Sequence, residues 1–233
     1  MMKLTKRTLW SALLGLTLAA CGPADETGLE TTGQQEQELP AGCTSVANTN
    51  MTSHACAHYN NSLDNTNVTA SATRTTSAPG VSTKHRHFTI ALPAGAEGSV
   101  TFVPSATTAG DTTESVAFYL SPSATFTLLT SGGTTVTPGI NQTSTSTCGL
   151  SKAVVYDLTV GSTYIIAVGP VAGNQVRLVP EYLDENKRTW YRDADGDTYG
   201  TTTNTVSTAC EAPSGYVNRR FDCNDNDPNV FNC

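Results

Sequence analysis

The chain has 233 residues, of which 38% are hydrophobic, and its 13 Lys and Arg stand against 20 Asp and Glu, which gives a formal net charge of −7. A negatively charged chain repels phosphate groups, so this balance argues against nucleic acid as a partner. Seven cysteines are typical of a protein from an oxidising compartment.

The first 20 residues predict a signal peptide. Lys3, Lys6 and Arg7 precede an apolar run over residues 9–20, which is too short to cross a bilayer as a helix. Residues 18–21, Leu-Ala-Ala-Cys, resemble the lipobox of bacterial lipoproteins, in which the cysteine is acylated before cleavage. That resemblance implies that Cys21 is the lipid-anchored N-terminus of the mature protein. The alternative is an ordinary secretory signal that is cleaved nearby.

Residues 21–41 predict a disordered acidic tether. They contain five acidic residues, no basic residue and almost no bulky apolar side chain, so they bury too little surface to offset the entropy of ordering. Removal of residues 1–20 leaves 10 basic and 20 acidic residues, a net charge of −10. Under the bacterial sorting rule for lipoproteins, Pro23 in place of Asp favours the outer membrane, on either its periplasmic or its cell-surface face.

Residues 42–184 predict an all-β domain, an antiparallel β-sandwich or jelly roll. Short stretches of alternating polarity separated by turn residues recur here, among them HFTIALPAG, GSVTFVPS and TYIIAVGP. At a period of two residues, Phe88, Ile90 and Leu92 fall on one face, and so do Val100 and Phe102. The order of these stretches resembles the small jelly-roll accessory domains of secreted bacterial proteins, of the pre-peptidase C-terminal type.

Residues 185–233 predict a small, ion-stabilised loop module. Alternating carboxylates in WYRDADGDTYG and further Asp residues in FDCNDNDPN favour a hard divalent cation with about six to eight oxygen ligands. An EF-hand is excluded, because Thr198 and Asn204 stand where that loop requires Gly and Glu. The alternative is an acidic disordered tail. The predicted calcium ligands are Asp193, Asp195, Asp197, Tyr199, Asp222, Asp225 and Asp227.

The module resembles the MopE-type metal-binding motif of bacterial lipoproteins of the myxobacterial type, which is itself similar to the calcium-binding thrombospondin type 3 repeat. The matching positions are residues 190–200, Cys210, residues 213–217 and residues 222–228. The family carries a copper-binding label, but carboxylate oxygens suit Ca²⁺ and the module contains no histidine. Thr198 departs from the Gly that is common in the family.

Six cysteines remain once Cys21 is acylated, an even number that predicts three disulfides. Cys210 and Cys223 both lie within the acidic module, so we expect them to form one pair. The pairing of the other four cysteines stays open.

All four histidines lie in two short clusters, SHACAH over residues 53–58 and KHRH over residues 84–87. In a strand, His85 and His87 share a face about 7 Å apart. His54 and His58 align in a helix and in an extended segment alike, whereas Cys56 joins them only in the extended case. Four imidazole nitrogens suit Cu²⁺ or Zn²⁺ as ligands. Such a metal site would lie on the surface of the sheet, where residues 53–61 would cover it. The alternative is a set of separate surface histidines.

Together these features predict a membrane-anchored, non-catalytic lipoprotein that binds divalent metal ions, with an unidentified protein or cell-surface partner. The alternative is a metal-dependent hydrolase or oxidase that uses the four histidines. No HExxH motif or nucleophile elbow occurs, and Asp64 and Glu97 are the only acids close in sequence to either cluster. Carbohydrate binding by the sandwich is a third interpretation, which the scarcity of aromatic residues disfavours.

Overall fold

The computed structural model describes residues 43–47, 49–143 and 148–231, all within one compact unit, Glu36–Cys233. The predicted signal peptide, Cys21 and the predicted tether lie outside these residues. No helix in the described part of the chain is both long enough and apolar enough to cross a membrane.

Thirteen strands and one α-helix make up the regular structure of the described residues, apart from three short 3₁₀ turns, and this confirms the all-β prediction. In chain order the elements are α1 (Asn50–Asn60), β1 (Asn65–Thr69), β2 (His87–Ala91), β3 (Gly98–Phe102), β4 (Thr113–Ser121), β5 (Phe126–Thr130), β6 (Thr135–Val136), β7 (Ile140–Thr143), β8 (Lys152–Thr159), β9 (Tyr164–Val168), β10 (Gln175–Tyr182), β11 (Arg188–Arg192), β12 (Thr201–Thr208) and β13 (Tyr216–Val217). The 3₁₀ turns are Ser62–Asp64, Ala172–Asn174 and Asp184–Asn186.

Two sheets enclose the main hydrophobic core. The larger has the strand order β1-β2-β10-β4-β8-β7, and the smaller has the order β3-β9-β5-β6. Phe88 and Ile90 of the larger sheet and Val100 and Phe102 of the smaller sheet belong to this core, as their alternation predicts, and so does Leu92. The burial of these aromatic and aliphatic side chains stabilises the sandwich.

One strand pair departs from the antiparallel prediction. Strand β1 pairs with β2 in parallel, with Asn65 opposite His87 and Thr69 opposite Ala91. The segment NTNVT carries almost no apolar signal, so alternation did not identify it as a strand. The long connection over residues 70–86 is what allows two successive strands to run in the same direction.

Helix α1 lies on the outer face of the larger sheet. Its buried side chains Met51 and Ala55 pack in a second, smaller core with Tyr119 and Val179 of that sheet. A disulfide from Cys56 to Cys148 fastens the middle of the helix to the segment before β8. The SHACAH segment is therefore helical, and Cys56 lies on a different side of the helix from the two histidines.

The C-terminal module forms a three-stranded sheet of order β12-β11-β13. Cys210 follows β12, is buried in the same outer core as α1, and pairs with Cys43, so the expected disulfide between Cys210 and Cys223 is wrong. Cys223 is disulfide-bonded as well. The error came from proximity in sequence, whereas the fold brings two residues 167 positions apart to a Cα–Cα distance of 5.5 Å.

Candidate metal centres

Helix α1 presents His54 and His58 on one side, a single turn apart. Thr49 caps the start of the helix by accepting a hydrogen bond from the N–H of Thr52 at 3.2 Å. The Nε2 atoms of His54 and His58 are 3.2 Å apart. Two nitrogens bound to one tetrahedral zinc at about 2.0–2.1 Å would be separated by about 3.3 Å, so the two rings already have the spacing of ligands to one ion.

A carboxylate holds the other nitrogen of each ring. Nδ1 of His54 donates to Oε2 of Glu181 at 2.9 Å, and Nδ1 of His58 donates to Oδ2 of Asp64 at 2.7 Å. An ionised carboxylate only accepts hydrogen bonds, so Nδ1 of each ring carries a proton. When both rings are neutral, both Nε2 atoms offer lone pairs to the space between the rings; a further proton on either ring makes the 3.2 Å contact a hydrogen bond between the two Nε2 atoms. This is the arrangement that orients metal-binding histidines in proteins.

His85 completes a group of three imidazoles with His54 and His58, whose ligand nitrogens all lie within 4.8 Å of one another. The ring centroid of His85 is 5.6 Å from that of His54 and 5.4 Å from that of His58. Three of the four predicted nitrogen ligands therefore converge. His85 is the exposed member of the group, whereas His54 and His58, on the helix, are partly buried.

The neighbours of His85 anchor its loop on both sides. Lys84 forms an ion pair with Glu185 at 2.6 Å, and Arg86 donates to the carbonyl oxygen of Leu63 at 2.8 Å. Between them His85 has a φ of 55°, a left-handed conformation that non-glycine residues seldom adopt. This backbone turn directs the imidazole towards α1.

The predicted fourth ligand, His87, does not join the group. Strand β2 begins at His87, so His85 lies before the strand and the two side chains do not share a face. His87 is buried, and its Nδ1 donates to the carbonyl oxygen of His58 at 2.8 Å, near the end of α1. It supports the backbone of His58, so the predicted group of four histidines is corrected to a group of three.

Glu181 brings a buried negative charge to this centre. The residue is 3% exposed, and its Oε1 has no hydrogen-bond partner among the described residues. Its Oε2 accepts from His54 and, at 3.3 Å, from the side-chain amide of Asn186. The hydrogen bond to Glu181 raises the pKa of His54, because the protonated ring compensates this charge. Sequence reasoning missed Glu181, since nothing near it in the chain connects it with His54, 127 residues away.

The second candidate centre lies in the C-terminal module and consists of two groups of carboxylates. Asp193, Asp195 and Asp197 form one group, and Asp195, Asp222 and Asp225 form the other; within each group the ligand oxygens lie within 4.8 Å of one another. Asp195 belongs to both. Asp222 and Asp225, which the sequence predicts to supply further oxygens, therefore lie within reach of Asp195.

Backbone N–H groups orient these carboxylates. Asp195, Asp197 and Asp222 each accept at Oδ1 from the N–H two residues further along the chain, at 3.2, 2.7 and 2.9 Å. The Oδ2 atom of each is buried and has no hydrogen-bond partner among the described residues. Burial, followed by the charges of the neighbouring carboxylates, raises the pKa of Asp195. A cation would compensate these three oxygens.

The loop that carries Asp193, Asp195 and Asp197 is shaped by close backbone contacts. A Cβ atom at Gly200 would lie 2.6 Å from Cβ of Tyr191, so only glycine fits there. Thr198, the departure from the family pattern, has a φ of 78° and donates its N–H to Oδ2 of Asp193 at 3.1 Å. A β-branched residue is strained in this conformation.

Two of the predicted calcium ligands lie beside the groups rather than in them. Oδ1 of Asp227 accepts from the backbone and side-chain nitrogens of Asn229, both at 3.1 Å. The ring of Tyr199 stacks on Phe231, with 5.2 Å between centroids, and its N–H donates to Asp197. The role of Tyr199 as a calcium ligand stays a prediction.

No protein-family model matches the chain, and no curated protein matches it.

Proposed function

We propose that the protein is a membrane-anchored, non-catalytic lipoprotein of the outer membrane that binds divalent metal ions at two centres, Zn²⁺ or Cu²⁺ at the three histidines and Ca²⁺ in the C-terminal module. The observation that carries the proposal is the pair of imidazoles whose Nε2 atoms lie 3.2 Å apart while a carboxylate holds each Nδ1. Surface histidines without a shared ligand would have no need of this arrangement.

The donor atoms match a different ion at each centre. Neutral imidazole nitrogens suit Zn²⁺ and Cu²⁺, so His54, His58 and His85 would hold a transition metal. Carboxylate oxygens suit Ca²⁺, and the partnerless Oδ2 atoms of Asp195, Asp197 and Asp222 support calcium in the module.

Metal titration tests both assignments in one protein. The purified chain, stripped with a chelator, is melted alone and with Ca²⁺, Zn²⁺ or Cu²⁺, and its bound metal is measured by elemental analysis. We expect two separate stabilising events, with calcium acting through the module and zinc or copper through the histidines. His58→Ala should abolish the stabilisation by zinc or copper but not that by calcium. Asp195→Asn should abolish the stabilisation by calcium but not that by zinc or copper. Stoichiometric binding of neither class of ion would refute the proposal.

The membrane anchor is proposed from the lipobox resemblance, and its test is independent of metal. Cells that express the chain are fed a labelled fatty acid and fractionated. The wild-type chain should carry the label in the outer-membrane fraction, whereas Cys21→Ala should remain unlabelled, as a soluble or an uncleaved form. A wild-type chain without label would rule the anchor out and leave the metal centres as they are.

Metal-dependent hydrolysis is a second candidate, favoured by the number of histidines. Three protein ligands and a water are typical of catalytic zinc sites, whereas structural sites have four. The two acids considered as general bases are otherwise engaged, since Asp64 holds His58 and Glu97 pairs with Arg74. Zinc-dependent cleavage of an activated ester, lost in His58→Ala, would support the enzyme over the binding protein.

A further inference from the structure

We propose that Glu181 and Asp64 are positioning residues that set the metal affinity of the three-histidine centre, and that Glu181 has the larger effect. The inference depends on the proposed function, because it assigns roles to residues around the transition-metal site. Neither of the two carboxylates is itself a ligand of the metal ion in this proposal. Each acts through the imidazole that it holds.

The two carboxylates orient the rings of His54 and His58. An imidazole on a helix surface can rotate about two side-chain bonds and can carry its proton on either nitrogen. The hydrogen bonds from His54 to Glu181 and from His58 to Asp64 fix both choices, so that the two Nε2 atoms face one another. Without the carboxylates each ring would have to be ordered by the ion itself, at a cost in binding free energy.

The buried negative charge of Glu181 also favours a bound cation. Glu181 is buried on β10, and none of its described contacts is with a lysine or an arginine. A buried carboxylate is costly unless a positive charge lies nearby, and its Oε1 has no hydrogen bond to reduce that cost. Among the described contacts, only a proton on His54 can compensate this charge in the metal-free protein, and an ion bound by His54 would take the place of that proton. Glu181 therefore favours the metal-bound protein electrostatically as well as by orientation.

The carboxylate of Asp64 lies in a different environment from that of Glu181, so we expect it to have the smaller effect on metal affinity. It ends the Ser62–Asp64 turn that Asn61 caps, and its side chain is 23% exposed. Water at this partly exposed position and the nearby guanidinium of Arg86 already stabilise its charge. A bound ion consequently gains less from Asp64 than from Glu181.

The test is the zinc affinity of the purified chain, measured by competition with a chromophoric chelator. Removal of such a partner commonly weakens binding by about 10–100-fold. We expect Glu181→Gln to fall in that range and Asp64→Asn to fall by a smaller factor. The matched control is Glu114→Gln, which neutralises an equally buried glutamate whose partner is the N–H of Thr107. Its zinc affinity should equal that of the wild type.

A second measurement separates positioning from simple loss of structure. Co²⁺ replaces Zn²⁺, and its visible absorption bands report the coordination geometry. In Glu181→Gln the bands should shift, while the melting temperature of the metal-free protein should change no more than in Glu114→Gln. If Glu181→Gln does not fold, Asp64→Asn, at its more exposed position, decides the question by the same two readouts.

The outcomes distinguish this inference from the proposed function. Zinc affinities in Glu181→Gln and Asp64→Asn that equal the wild-type value would overturn the positioning roles and leave the centre intact. A wild-type chain that binds no zinc or copper would overturn the transition-metal site itself.

Discussion

The two candidate centres differ in what orients their ligands. At the histidine centre, side chains orient side chains, and the holding carboxylates come from other elements, with 127 residues between His54 and Glu181. In the acidic module, the backbone orients the carboxylates. Oδ1 of Asp195, Asp197 and Asp222 accepts from an N–H two residues away, and Oδ1 of Asp225 accepts from the N–H of Ala194. One centre depends on side chains from distant elements, and the other depends mainly on the backbone amides of the loops that carry its carboxylates.

This difference has a physical consequence for the ions. A centre assembled from a helix, a strand and a loop holds its ligands rigidly, which suits the strict geometry of Zn²⁺ or Cu²⁺. A loop that curls back on its own amides adapts to the irregular coordination of Ca²⁺. The two centres should therefore respond separately to changes in the fold.

The largest expected effect comes from removing the disulfide that fastens α1. Cys56→Ser with Cys148→Ser opens a cross-link between residues 92 positions apart, for which chain entropy predicts a loss of about 4–5 kcal/mol in the free energy of unfolding. Denaturant unfolding measures the loss. Zinc affinity should fall as well, because His54 and His58 flank Cys56 on the helix. The calcium-induced stabilisation should be retained, and its disappearance would show that the two centres are coupled.

The next effect tests which carboxylates the calcium site needs. At 100 times its dissociation constant, calcium should stabilise the wild-type protein by about 2.7 kcal/mol. Asp195→Asn should abolish this gain, since Asp195 belongs to both groups of carboxylates. Asp227→Asn is the matched control, because the amide retains the oxygen that accepts from Asn229. Thermal melts with and without calcium compare the two, and equal losses would place Asp227 in the site.

His85 and His87 provide a contrast within one tripeptide. His87→Ala removes a buried side chain and its hydrogen bond to the carbonyl oxygen of His58, which keeps the bond from the N–H of Asn61. The metal-free protein should therefore lose at least about 0.5–1.5 kcal/mol of stability. His85→Ala alters an exposed side chain and should change that stability by about 0.5 kcal/mol or less.

The same two variants should rank in the opposite order for metal. Isothermal titration with zinc should find the larger loss of affinity in His85→Ala, which removes a ligand nitrogen. A larger loss in His87→Ala would restore the four-histidine site and contradict the structure.

The smallest effect concerns backbone strain in the acidic module. Thr198→Gly removes a β-branched residue from a φ of 78° and should stabilise the protein by at most about 1 kcal/mol, after the greater flexibility of glycine in the unfolded chain is counted. The control is Thr202→Gly in β12, where glycine should destabilise by about 0.5–1 kcal/mol. Chemical unfolding of both variants checks the signs, and a loss of stability in Thr198→Gly would show that the threonine is not strained.

The contrast between the centres also explains what could be predicted from the sequence. Period-two alternation identified the inward faces of β2 and β3, because each strand alternates about its own axis whatever its partners are. The carboxylates Asp193, Asp195 and Asp197 were recognisable for the same reason, since the contacts that orient them are local.

The remaining features required the tertiary fold. The partner of Cys210 was predicted from the neighbouring sequence, but the core beneath α1 brings Cys43 to it. Alternation placed His85 and His87 on one face, yet the positive φ of His85 ends that pattern one residue before the strand. The sequence around Glu181 does not indicate its role, because its partner His54 lies 127 residues earlier in the chain.

The separation between His54 and Glu181 also orders events in time. A ribosome that adds about 5–20 residues per second makes position 181 roughly 6–25 s after position 54. Throughout that interval one imidazole of the pair lacks the group that orients it, and the strand that supports α1 does not yet exist. The oriented histidine centre thus forms only after Glu181 has been made, well after the helix that carries two of its imidazoles.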